Sequence, residues 1–168
     1  MGTIPRMIKR FNLKLILLEC LALIFIISGI KRFYVAYNGE EFDALMNDDW
    51  EKFESLTDVR IGQFLNDQAY WTLASLLVGI LIVGITNLKF KVGIINSIIV
   101  LILSFGISIT GIYSSGIINR SLNSFCSLFA KGYGMSFLIG GIIILLIGIA
   151  ILWKTIIINK KYCTQQRL

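Results

Sequence analysis

Glu19 is the residue whose type and position first suggest chemistry. It lies within LKLILLECLALIFIISGI, and the next charged side chain along the chain is Lys31. A carboxylate in hydrocarbon is costly and by default marks a functional position: a proton or cation site, or one half of a buried pair. Counted from Phe11, it sits about 12 Å deep at 1.5 Å rise per residue. Two polar residues fall at the same level in other apolar runs. Asn96 can donate a hydrogen bond, and Lys154 can offer an ammonium, although its stem also reaches the headgroups. Glu19, Asn96 and Lys154 are therefore expected to form an intramembrane polar cluster. Structural pairing is the preferred reading, ahead of an ion, proton or ligand role and of contact with another subunit.

The second concentration of charge is NGEEFDALMNDDWEKFESLTD, residues 38–58, which holds eight of the ten acids. Phe42, Leu45, Met46, Trp50, Phe53 and Leu56 recur at helical spacing and predict one amphipathic helix over 40–56. Its acidic outer face carries Glu40, Glu41, Asp48, Asp49, Glu51 and Glu54, with Asp43 also off the apolar stripe. Asn38-Gly39 supplies a turn and a cap, and acids in the first turn suit the helix dipole. Asp48, Asp49 and Glu51 do not follow the spacing of a calcium loop, so a solvated face is expected and no metal. Peripheral helices that bind lipid are usually rich in Lys and Arg. This one has the opposite sign, so its apolar stripe (Phe42, Leu45, Met46, Trp50, Phe53) is expected to cover the bundle or a protein partner.

Other chemistry is excluded by absence. The chain has no histidine and three cysteines, Cys20, Cys126 and Cys163, each assigned to a different compartment. That removes histidine-based metal and acid–base sites, an intrachain disulfide and a disulfide-relay enzyme. There is no phosphate loop and no nucleophile–base pair, so neither a cofactor nor catalysis is expected. Asn119-Arg120-Ser121 is a glycosylation sequon that has meaning only in a eukaryotic source. Cys163 follows Lys160 and Lys161 and reads as a free thiol rather than an acylation site.

The elements that must position these residues follow from composition. A hydrophobic fraction of 56% with only 15% charged residues lies outside the range of a soluble domain. Four apolar runs, at 11–30, 70–88, 92–112 and 133–158, are long enough to span a bilayer, which needs about 20 helical residues. Backbone amides must be satisfied internally in hydrocarbon, and the runs lack the alternation of a membrane barrel, so helices are predicted. The first span resembles a signal peptide but is too long and lacks a small-residue cleavage site, so it is kept as an anchor. The fold class predicted for residues 1–168 is all-α: a single four-helix transmembrane bundle. An outer (extracellular or periplasmic) cap lies in loop 31–69, with a shorter outer loop at 115–132.

Ten basic residues fall on the side of the termini and of the turn NLKFK, against six on the other. By the positive-inside rule both termini are expected in the cytoplasm of a plasma or bacterial inner membrane. The basic rim reads as orientation and lipid contact rather than nucleic-acid binding. Small residues recur every seven positions: Thr72, Gly79 and Thr86; Ser97, Ser104 and Gly111; Gly134, Gly141 and Gly148; and, more briefly, Ala22 and Gly29. Such stripes let helix backbones approach in a left-handed bundle. The expected function is an accessory or regulatory subunit binding a membrane or extracytoplasmic partner through bundle and cap. The alternative is a small oligomeric transporter or channel that uses Glu19.

Overall fold

The computed structural model describes residues 12–90, 94–109 and 116–165 and is all-helical, with seven helices among those residues. They are α1 (Leu13–Tyr37), α2 (Gly39–Met46), α3 (Trp50–Leu56), α4 (Ile61–Lys89), α5 (Ile94–Ile109), α6 (Gly116–Cys126) and α7 (Tyr133–Gln165). Three stretches are long and apolar enough to cross a membrane: Leu13–Tyr37, Ile61–Lys89 and Tyr133–Lys160. The run expected at 92–112 forms α5, which is apolar but falls short of that length within the described residues. Helices long and apolar enough to cross a membrane are thus shown for three of the four runs.

α1 is the axis of the molecule. Of its most apolar stretch 56% is buried, against 39% for α7 and 22% for α4, and it packs on α7, α4 and α5. Asn12 starts it by accepting a hydrogen bond from the Leu15 amide at 3.2 Å. At the far end the Asn38 side chain donates to the Tyr34 carbonyl at 2.9 Å and so finishes α1. It does not cap α2, as the turn at Asn38-Gly39 had suggested.

α1 and α7 run antiparallel and meet through small residues, their contact being the most extensive in the fold. A Cβ added at Gly148 would lie 3.0 Å from the Ala22 carbonyl oxygen, and one at Gly141 would lie 3.2 Å from that of Gly29. Gly39, at the start of α2, lies directly against Gly134. Between lipid tails no hydrophobic force draws helices together, so this close backbone approach supplies the van der Waals contact that does. Gly79 of α4 instead makes room for side chains, those of Leu23 and Ile27 of α1. On α5, Asn96, Val100 and Ser104 face inward at i, i+4 and i+8. The opposite faces of α4 and α5 expose Leu73, Leu77, Leu81, Ile85, Ile102 and Phe105, an apolar surface that matches hydrocarbon.

At the end of the bundle where α1 meets α2, a second core forms from Ala44, Phe53 and Phe64. The Phe64 ring lies 5.1 Å from Phe42 and 5.4 Å from Phe53, both within the favourable range for aromatic pairs. One expectation fails here. The helix predicted over 40–56 is two helices, broken at Asn47-Asp48-Asp49. Asp48 takes a left-handed backbone (φ 54°), and the Asp49 carboxylate caps α3 by accepting from the Lys52 amide. Asn and Asp tolerate that conformation and bond readily to nearby backbone, so this triplet ends one helix and begins the next. The break shifts the apolar stripe out of phase. Phe53 is buried and Phe42 and Leu45 half-buried, whereas Met46 and Trp50 are 64% and 49% exposed. Next along the chain, α4 starts at Ile61 and continues unbroken to Lys89.

Candidate functional site

Two polar sites lie on α1, thirteen residues or about 20 Å apart along its axis. The first surrounds Glu19, which is fully buried. Its Oε2 accepts a hydrogen bond from the Asn87 side-chain amide of α4 at 2.9 Å, and the same amide nitrogen donates to the Ser97 hydroxyl of α5 at 2.9 Å. Glu19 Oε1 has no hydrogen-bond partner among the described residues. Beside this triad, Asn87, Ser97, Val83 and Ser104 line a cavity of about 30 Å³, large enough to hold a water molecule.

The cluster expected around Glu19 is only partly assembled. Asn96 is buried, but its Oδ1 accepts from the Asn12 amide at 3.1 Å, tying the start of α1 to α5. Lys154 is exposed on α7 and is not brought to Glu19. Equal depth had suggested the pairing, but the inward face of α7 at that level carries Leu152, Thr155 and Ile156 instead. Asn87 was missed because NLKFK was read as a turn; α4 carries the residue inside the bundle. Gly111 lies outside the described residues.

The second site surrounds Arg32, which is 2% exposed. Its guanidinium donates to the Ser28 carbonyl at 2.8 Å and to the Asn123 side-chain oxygen of α6 at 2.8 Å, and stands 6.0 Å from the centre of the Phe137 ring. Nε has no partner among the described residues. Cys126 is also buried here, against Gly140 of α7. Burial pushes its thiol above the ordinary range, and the neighbouring guanidinium opposes that shift without cancelling it. A cavity of about 460 Å³ adjoins Arg32, walled by Lys31, Phe42, Leu45, Trp50 and Phe137. In the sequence Lys31-Arg32 was read for orientation alone; a basic pair ending an apolar run was the available signal.

The acids at 38–58 are divided. Glu40, Asp48, Asp49, Glu51 and Glu54 are exposed, while Glu41 and Asp43 are half-buried. Both Asp43 oxygens accept from the Tyr133 amide at 3.3 Å, so a carboxylate of α2 satisfies an orphan donor at the N-terminus of α7. Among the described residues, no group of His, Cys, Asp and Glu is placed to hold a metal ion.

No protein-family model, curated protein or solved structure matches the chain. What the fold itself defines is an all-helical protein with three helices of membrane-spanning length and composition.

Proposed function

We propose that the chain is a non-catalytic four-span membrane protein, with α5 as the fourth span, that acts as an accessory or regulatory subunit. In this reading α2, α3 and α6 form the extracytoplasmic cap and both termini are cytoplasmic. The observation that carries it is the surface of α2–α3, where Trp50 and Met46 stand exposed among Asp48, Asp49 and Glu51. A large aromatic and a methionine held in a solvated acidic rim have the composition of a protein-binding patch. The test is purification in mild detergent of the wild type and of a Trp50→Glu/Glu51→Lys variant. A stoichiometric foreign subunit, lost from a variant whose helicity and melting temperature are unchanged, supports the reading. A homo-oligomer without any foreign subunit counts against it.

One observation favours a second reading, an oligomeric transporter or channel. Glu19 Oε1 is buried without a hydrogen-bond partner among the described residues, and Asn87 and Ser97 of the same triad line a cavity large enough for a water molecule. In that case Glu19→Gln abolishes proton or cation flux in proteoliposomes while folding and abundance stay normal.

A further inference from the structure

The cavity beside Arg32 has a chemistry that the partner-binding reading does not use. Among the described residues its charged lining is Lys31 and Arg32, and no carboxylate lines it. Asp43, at the same end of the bundle, directs both oxygens to the Tyr133 amide. Arg32 is nearly inaccessible; its hydrogen bonds go to the neutral oxygens of Ser28 and Asn123, the protonated Cys126 thiol stands beside it, and Nε has no partner among the described residues. Guanidinium does not escape burial by giving up its proton, because it holds that proton at any ordinary pH. A buried cation without an opposing charge is strongly disfavoured, and a carboxylate or phosphate is the group that its planar fork matches. The rest of the lining is of another kind: Phe42, Leu45, Trp50 and Phe137 make an apolar wall. The volume of about 460 Å³ lies within the roughly 300–1,000 Å³ usual for small-molecule sites.

We propose that this cavity binds a single-chain anionic amphiphile drawn from the surrounding lipid. Its carboxylate or phosphate head sits on Arg32 and Lys31, and its acyl tail lies along the aromatic wall toward Trp50. A free inorganic anion would leave the apolar wall unused, and a neutral lipid would leave the guanidinium without its counter-charge. Asn119 and Asn123, which also line the cavity, offer amide groups to the head. Trp50 belongs both to this cavity and to the patch proposed to bind a partner, whereas Arg32 and Lys31 belong to the cavity alone, so their substitution separates the two readings.

Trp50 supplies the readout. In the full-length chain in detergent, Trp71→Phe and Trp153→Phe leave Trp50 as the sole tryptophan, and 9,10-dibromostearate serves as a quenching probe. Saturable quenching is expected, reversed by stearate and by dodecyl phosphate but not by inorganic phosphate or dodecanol. Arg32→Gln and Lys31→Gln should each weaken probe binding at least tenfold, and Arg32→Lys less. If Arg32→Gln does not fold, Lys31→Gln and Arg32→Lys decide the matter on the same scale. Equal quenching by the methyl ester of the probe would overturn the proposal, as would affinity unchanged by the charge substitutions. Full competition by inorganic phosphate would overturn it too, leaving only an anion site without a tail.

Discussion

Gly29 of α1 and Gly141 of α7 lie backbone against backbone. A Cβ added at Gly29 would stand 2.9 Å from the Gly141 carbonyl oxygen and 2.8 Å from the Leu145 amide nitrogen. Neither neighbour is a flexible side-chain end, so the helices themselves would have to move apart. Gly29→Ala is therefore expected to destabilise the protein by about 1–3 kcal/mol, the usual scale of overpacking. Gly84→Ala is the control, since nothing lies within 4 Å of the added atom. Thermal unfolding in detergent compares the two; a Gly29→Ala melting temperature equal to that of Gly84→Ala would contradict the packing.

The end of the bundle at α2–α3 hangs on Phe53 rather than on Trp50. Phe53 is 1% exposed and packs against Phe64, whereas Trp50 is 49% exposed. Phe53→Ala should cost about 3–5 kcal/mol, the usual range for a buried phenylalanine. Trp50→Ala should cost much less. Limited proteolysis within 47–60 reads the difference: cleavage should accelerate strongly in Phe53→Ala and little in Trp50→Ala.

What could be read from sequence was what has a period. The apolar runs announced membrane-span helices, and the seven-residue spacing of Ala22, Gly29, Gly134, Gly141 and Gly148 marked residues that lie where α1 and α7 meet. Position around a helix was not legible for a lone polar residue outside any such repeat. Residue counting placed Glu19 and Lys154 at one depth, but depth says nothing of azimuth, and Lys154 turns outward. Local backbone chemistry was legible and overlooked: Asn47-Asp48-Asp49 was read for its charge, although the same residue types stop helices and cap them. Arg32 lay hidden in a charge count because its burial depends on α6, a segment distant in sequence, supplying Asn123.

Cys126 links stability to pH. Burial raises its thiol above the ordinary value, near 8.5, so the folded chain holds the proton more tightly than the unfolded chain does. Below that value both states are protonated and the contribution is fully present. As pH rises toward the folded value the unfolded chain ionises first, and the contribution is lost. The melting temperature of the wild type should therefore fall more steeply between pH 8 and 10 than that of Cys126→Ala. In the same window the native thiol should resist maleimide until the protein is unfolded, because it is buried as well as protonated. Parallel pH slopes for the two proteins, or fast native alkylation, would refute this assignment.

Glu19, Asn87 and Lys154 separate a true partner from a residue that merely shares its depth. Asn87 holds Glu19 Oε2 and, through Ser97, ties α1, α4 and α5 together at one level. Asn87→Leu should leave the Glu19 carboxyl buried with neither oxygen bonded, at a cost of about 1.5–3 kcal/mol, the scale of a hydrogen bond to a charged group. Lys154 is exposed, so Lys154→Ala should fall within about 0.5 kcal/mol of wild type, as for most surface substitutions. Glu19→Gln keeps the shape and can still accept from Asn87 through its side-chain oxygen, so a small loss is expected. Combining Glu19→Leu with Asn87→Leu should recover part of what Asn87→Leu loses alone, because a matched apolar pair leaves no buried polar atom unpaired. Thermal unfolding of these four variants and of Glu19→Leu alone, in one detergent, gives the ranking and closes the cycle. A Lys154→Ala loss as large as that of Asn87→Leu would show that the ammonium, and not the amide, compensates the carboxyl. Additive losses in the double variant would show that Glu19 and Asn87 do not interact, since coupling between residues in contact is what a double-mutant cycle measures.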